Sequence, residues 1–294
     1  MTSNLELLTQ INLDDLVSSF GWQNRPALSR ALRRFFLRPA QTFAEFMQEF
    51  DSAIAERGLA DAARLALKHY VRDVRVFGLD RVPDSAFLAL SNHPGMTDTL
   101  ALFAALNCPQ LKIIALDRPF LMALPNMSKQ LFFVSDEYAS RMKLVRQVSG
   151  HLRSGGAALT FPAGEIEPDP NIYPGAVESL QTWTDSVGVF IRLAPDTVIL
   201  PVLVRNVIWD KTANLPLLKV KKDRFEREKL AAALQLLAMV MWNAIPVTVT
   251  VQIGNPIDPK KLGTTDTHII HQAVLTEMKF LIENPIQGEG ISVL

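Results

Sequence analysis

Residues 88–98 read Leu88-Ala89-Leu90-Ser91-Asn92-His93-Pro94-Gly95-Met96-Thr97-Asp98. An apolar run of strand type ends in Asn-His, a Pro-Gly pair turns the chain, and the helical segment Thr99–Leu106 follows. His93 and Asp98 stand five positions apart. On one continuous helix that spacing is a rotation of about 500°, so the two side chains would not share a face. Pro94 also drives His93 out of the α region. The pair meets only if the chain folds back at Pro94-Gly95, with Asp98 at the start of the next helix. An Asp bonded to one imidazole nitrogen fixes the tautomer and leaves the other nitrogen free to accept a proton. That arrangement suits the deprotonation of an alcohol attacking a thioester carbonyl. A plainer reading also stands, in which Asp98 or Thr97 caps the helix and His93 is a polar loop residue.

Outward from this stretch, apolar strands alternate with helical segments. The pattern predicts strands at Val74–Phe77, Ala86–Leu90, Lys112–Ala115, Leu131–Val134, Ala157–Phe161, Val198–Val204 and Val247–Ile253. It predicts further helices at Ala139–Arg153, Val177–Leu193, Arg224–Trp242 and Asp266–Glu283. Such alternation implies an α/β fold, a central mixed or mainly parallel sheet flanked by helices. Residues 1–70 read as helices only. Asn12 is the expected cap of the first, Pro39 the expected end or kink of the second, and Gly58 a stop. We therefore expect a helical, membrane-interfacial region over residues 1–70 and an α/β domain over residues 71–294.

The totals exclude several classes. Thirty Lys and Arg balance thirty Asp and Glu, which gives no global case for a nucleic-acid partner. A single cysteine, Cys108, excludes a disulfide framework and a thiolate metal cluster. The segment Met1–Asp15 lacks the positive start and apolar run of a secretory signal. The most apolar stretch, Leu230–Val251, contains Gln235 and Asn243, and Pro246 divides it. It reads as a buried helix followed by a strand, because a spanning helix needs about 20 continuous apolar residues. His268 and His271 have a spacing that suits a metal, but no third ligand is evident, so no metal is expected. Gly-x-Gly-x-x-Gly, Walker and Gly-x-Ser-x-Gly patterns are absent.

Asn92-His93, four residues, then Asp98 resembles the hallmark of the glycerolipid/phospholipid acyltransferase superfamily, which includes the lysophosphatidate acyltransferases. Phe161-Pro162-Ala163-Gly164-Glu165-Ile166, after a Gly155-Gly156 turn and an apolar strand, resembles that family's second landmark, Phe-Pro-Glu-Gly-Thr-Arg. Val74 to Pro83, Ile199-Leu200-Pro201-Val202 and Val249 to Ile257 echo its remaining blocks in the right order, so the likeness runs over roughly residues 70–260. The resemblance implies that His93 is the general base and Asp98 its partner. It implies that Asn92, Phe161, Pro162, Gly164 and Glu165 serve the substrate side. It further implies an acyl-CoA or acyl-acyl carrier protein donor, a lipid acceptor and no cofactor.

The departures concern the acceptor. Ala163 and Ile166 stand where the family has Glu and Arg, and a guanidinium that forks onto phosphate is thereby lost. Asp136 and Glu137 stand where the family often has a cation, and Arg141 comes only later. The Phe-Pro-Ala-Gly-Glu variant resembles a branch that acylates amino-acid-derived lipids, and Glu165 would then bind an amine. Its alternative is a solvated turn residue. Lys219, Lys221, Lys222, Arg224, Arg227 and Lys229 form a basic run read either as a solvated helix start or as a contact for an anionic carrier or headgroup. The stretch Leu16–Ala44 holds five arginines and no acid, Arg30, Arg33 and Arg34 among them. With Leu28, Leu32, Phe35 and Phe36 it suits a helix lying on anionic lipid, or one packing on the rest of the protein.

These observations predict a peripheral acyltransferase at the cytoplasmic face of the membrane, acting on a lipid-type hydroxyl acceptor such as a lyso-amino-acid lipid. Its alternatives are a lysophosphatidate acyltransferase, an acyl thioesterase and a catalytically silent lipid-binding protein.

Overall fold

The computed structural model of the protein describes residues 4–134, 138–242, 244–245 and 247–294. Asp136 and Glu137, as well as Asn243 and Pro246, lie outside the described residues. The strands are β1 Asp73–Phe77, β2 Phe87–Ser91, β3 Leu111–Leu116, β4 Leu131–Val134, β5 Ala157–Thr160, β6 Val198–Arg205, β7 Thr248–Ile253 and β8 Ile291–Ser292. The long helices are α1 Asn4–Phe20, α2 Pro26–Arg57, α3 Leu59–Leu67 and α4 Met96–Leu106. Short turns α5 Pro119–Met122 and α6 Pro125–Ser128 precede α7 Tyr138–Arg153. Then come α8 Ala176–Ser179, α9 Ser186–Leu193, α10 Asp210–Ala213, α11 Arg224–Trp242, α12 Pro259–Leu262 and α13 Thr267–Glu283.

The strands form one sheet in the order β4-β3-β5-β2-β6-β7-β1-β8. The first five are mutually parallel; β7 runs antiparallel to β6, β1 parallel to β7, and β8 antiparallel to β1. The central strand β2 is buried along its whole length, which is why it reads as a continuous apolar run rather than an alternating one. Successive side chains still point to opposite faces. Phe87 and Ala89 join the core beneath α2, α3 and α4, whereas Leu88 and Leu90 join the core beneath α7, α9 and α13. The N-terminal helices thus share one core with the sheet through Leu8, Ala44, Phe50 and Leu67.

Three local expectations are corrected. Pro39 does not end α2, which runs on past it as one element of 32 residues. An interior proline costs roughly 3 kcal/mol, but Ala40, Ala44, Phe50 and Ile54 bury one side of α2, and Asn12 donates a hydrogen bond to the Ala40 carbonyl. Asn12 is accordingly inside α1, not its cap. The segment expected as one helix from Val177 to Leu193 breaks between Leu180 and Asp185. The break releases the Thr184 N–H to the Pro162 carbonyl, 3.1 Å away, and turns the Trp183 indole inward. Gly58 does end α2, with a left-handed φ of +84° that favours glycine. The two-residue strand β8 is too short for a periodic signal.

Candidate active site

Asn92 follows β2 and is buried. Its amide donates to the Val204 carbonyl at 2.9 Å and accepts from the Val204 N–H at 2.8 Å. The carboxamide therefore imitates one more ladder pair between the ends of β2 and β6. Asn92 does not line the cavity described below, so its work is to fix where β2 releases the chain. His93 is next. Pro94 and Gly95 turn back, and Asp98 enters the first turn of α4. His93 Nδ1 lies 2.8 Å from Asp98 Oδ2, and the same oxygen accepts the Gly95 N–H at 2.8 Å. Thr99 donates to Oδ1 at 3.0 Å. Asp98 is thus cap and histidine partner at once. A carboxylate oxygen accepts, so the neutral imidazole that bonds to it carries its proton on Nδ1 and leaves Nε2 as the acceptor.

The loop after β5 closes over this pair. The ring of Phe161 stacks on His93 with centroids 4.5 Å apart and planes 25° apart. A turn closed by the Gly164 N–H on the Phe161 carbonyl follows, and Gly164 takes a left-handed φ of +69°. Glu165 is exposed. Beyond it, Glu167 and Asp169 each precede a proline, which holds them extended and turns both inward. Glu167 and Asp169 are buried. Glu167 accepts the His93 N–H at 3.2 Å on Oε2 and the Trp183 indole N–H at 2.7 Å on Oε1. In return its own N–H donates to the His93 carbonyl at 2.9 Å. Asp169 accepts the N–H groups of Asn171, Asn206, Val207 and Ile208, fixing the loop that follows β6.

Burial sets the protonation of these acids. It pushes the Glu167 carboxyl up to about 7 against the hydrogen bonds from Trp183, Ser179 and the His93 backbone. Burial likewise raises Asp169 from its ordinary value despite its four N–H donors. For His93, burial favours the neutral ring, but the charge and hydrogen bond of Asp98 and the charge of Glu167 outweigh it, and the pKa lies above the ordinary 6.5.

The side chain of His93 is 28% exposed, and the residue lines a cavity of about 910 Å³ whose walls are mostly apolar. That volume is near the top of the ~300–1,000 Å³ range usual for small-molecule sites. The cavity lies at the carboxyl ends of the parallel strands, where β2 and β5 are neighbours and their onward connections leave in opposite directions. Phe43, Met47 and Phe50 of α2 form one wall, and Leu236 and Met239 of α11 belong to the lining, with Ile113 and Ala115 of β3. Asp51 of α2 accepts the N–H groups of Asn126 and Met127, and Phe43 stacks on Phe120 at 5.8 Å, so the N-terminal helix is tied to α5 and α6 across the cavity.

Of the residues singled out in sequence, Phe161, Pro162, Gly164 and Glu165 line this cavity with His93. Ala163 and Ile166 do as well. The fold also brings Arg118, Arg141 and Lys229 into the lining. Asp15 of α1 is close enough to Arg118 and Lys229 for both to draw its pKa down against burial. Glu167 was missed entirely. Its signal was Glu167-Pro168-Asp169-Pro170, in which each proline holds the preceding acid extended and both acids turn inward. His268 and His271 do not line the cavity.

The N-terminal arginines are not equivalent. Arg33 is ion-paired with Asp14. Arg30 bonds only its own helix, at the Pro26 carbonyl, among the contacts described. Arg34 is exposed, beside Phe35 at 69% exposure and near Leu28 and Leu37, both also exposed. Among the described residues no helix is long and apolar enough to cross a membrane.

No family model matches the chain, and no curated protein does. Among solved structures, the chain is similar to the crystal structure of the 1-acyl-sn-glycerophosphate (LPA) acyltransferase, PlsC, from Thermotoga maritima. Identity is 16% and the TM-score 0.43, over 95% of this chain and 96% of that one.

Proposed function

We propose that the protein transfers a fatty acyl group from a carrier thioester, acyl-CoA or acyl-acyl carrier protein, to a hydroxyl of a lipid-type acceptor. One observation carries this reading: a histidine oriented through Nδ1 by a buried carboxylate stands at a large apolar cavity. The cavity suits the acyl chain, and the exposed rim suits the polar parts of donor and acceptor. His93 Nε2 takes the proton from the acceptor hydroxyl, whose oxygen attacks the thioester carbonyl. The tetrahedral adduct collapses by breaking the C–S bond, and the imidazolium returns its proton to the leaving thiolate. Asp98 stabilises the imidazolium in between.

A donor is needed for the oxyanion. Pro94 has no N–H, and the Gly95 N–H is already engaged by Asp98. Thr97 lines the cavity, and among the described residues its buried hydroxyl has no hydrogen-bond partner, so it fits this role. The acceptor would meet Glu165 together with Arg118, Arg141 and Lys229. A mixed rim favours a headgroup bearing both charges, as in a lyso-amino-acid lipid. The same three cations favour a second reading, acylation of lysophosphatidate, since a guanidinium from Arg118 or Arg141 can replace the one absent at Ile166. No cofactor enters either scheme. The exposed Arg34 and Phe35 of α2 support a peripheral seat on an anionic, cytoplasm-facing membrane surface.

Purified protein incubated with labelled acyl-CoA or acyl-acyl carrier protein, with and without a total lipid extract, tests this. Labelled acyl-lipid is the expected product. Free fatty acid alone would identify a thioesterase using water at the same pair, and no turnover would identify a silent lipid-binding protein.

A further inference from the structure

We infer that Glu167 is a positioning residue for His93, holding its backbone from the loop after β5 and supplying a second negative charge to the imidazolium. This inference rests on the acyl-transfer reading of His93. Its geometry is reciprocal. The Glu167 N–H donates to the His93 carbonyl at 2.9 Å, and the His93 N–H donates to Glu167 Oε2 at 3.2 Å. The other carboxylate oxygen is held by the Trp183 indole at 2.7 Å and faces Ser179 Oγ at 3.2 Å. The break before α9 is what delivers that indole. His93 therefore cannot shift along the chain without disturbing a carboxylate anchored from a third element.

The charges are equally confined. Among the described residues, Asp98 and Glu167 are the charged groups acting on His93, and His93 is the one acting on Glu167. Both obligate N–H donors favour the ionised carboxylate, and burial opposes it, which leaves the group near 7. A proton arriving on His93 draws the Glu167 pKa down, so the carboxylate is anionic when the imidazolium needs it. A neutral amide cannot substitute. The Gln side chain must turn its NH2 toward either the His93 N–H or the Trp183 N–H, and it carries no charge.

The test compares wild type, E167Q and E167D by kcat/KM against pH and by NMR titration of the His93 imidazole, assigned against His93→Gln. Glu167→Gln is expected to lower kcat by about 10- to 100-fold, the scale of a misplaced catalytic group, with KM little changed. Its acid limb and imidazole titration should both move to lower pH. Glu167→Asp keeps the charge and should restore the position of the limb. In the wild type the imidazole should titrate in two coupled steps, a measurement that needs no variant to fold. A one-step wild-type titration, or an E167Q limb and imidazole that do not move, overturns the inference while acyl transfer stands. The expected NMR behaviour in a protein that transfers no acyl group would instead overturn the acyl-transfer reading and leave the pairing of Glu167 with His93.

Discussion

His93 Nδ1 lies 2.8 Å from Asp98 Oδ2, and Asp98 is wholly buried while His93 remains partly exposed. The pair thus has a protected side that sets the tautomer and an open side that meets the cavity. Asp98 also accepts the Gly95 N–H, so one oxygen holds both the start of α4 and the base.

Replacing His93 by Ala removes the proton acceptor without touching the buried side chains of the two cores. Loss of a positioned base costs about 10²–10⁴-fold in rate. Transfer should fall at least about 100-fold, with the thermal midpoint little changed in a melting assay run above the raised pKa of His93, where the ring is neutral in the wild type as well. Near-wild-type turnover would sink the mechanism.

Asp98→Asn tests the orienter. The Asn oxygen can take the place of Oδ2 toward His93 and Gly95, with its NH2 turned to Thr99 Oγ1. The fold should survive, since Asn and Asp cap comparably. What disappears is the charge facing the imidazolium. We expect activity per folded molecule to drop by at least about 100-fold. A variant that loses stability but keeps specific activity would make Asp98 structural.

Stability should decline as pH rises through the weakly acidic range. Glu167 binds its proton more tightly folded, near 7, than at the ordinary 4.5, so its contribution worsens between those values. At 1.36 kcal/mol per pH unit the effect is on the order of 3 kcal/mol. His93 acts in the same direction: its pair with Asp98 stabilises fully below 6.5 and is lost as pH rises through the raised folded value. Denaturant midpoints at pH 5 and pH 8 measure this, and E167Q should show a smaller difference between them than the wild type.

Vesicle sedimentation should favour anionic over neutral lipid and weaken with salt. Arg30→Gln with Arg34→Gln should reduce binding. Arg33→Gln alone should matter least, because Asp14 already engages that guanidinium. Binding to neutral vesicles that ignores all three changes would remove the arginines from the anchor.

Acceptor choice is measured by competition at equal concentrations with one acyl donor. Loss of the guanidinium at Ile166 predicts a preference for a lysolipid with a free amine or neutral head over lysophosphatidate and glycerol-3-phosphate. Arg118, Arg141 and Lys229 in the cavity lining narrow that preference. Arg118→Ala should then depress phosphate-bearing acceptors more than the amine-bearing one. A preference of tenfold or more for lysophosphatidate would favour the second reading.

The order of strands and helices from Val74 to Glu283 was legible because side-chain period separates the two. Strands β1 to β7 all lie within a residue of expectation at each end. The meeting of His93 with Asp98 was legible too. The turn that brings them together lies in the residues between them, and Pro94-Gly95 leaves the chain few ways to run. Helix continuity was not legible where a distant partner interrupts the helix, as at Trp183, or where packing carries it past a local penalty, as at Pro39.

By itself the sequence determined the alternating α/β pattern and the histidine–aspartate pair, both products of near-neighbour sterics. Tertiary structure alone decided that Glu167, 74 positions from His93, closes on its backbone. It also decided that α2 walls the cavity and that cations from β3's end, α7 and α11 converge there. Period and turn chemistry constrain which way each side chain faces within its own element. They carry no term for strand order, and strand order brings the ends of β2, β3, β5 and β6 to one edge.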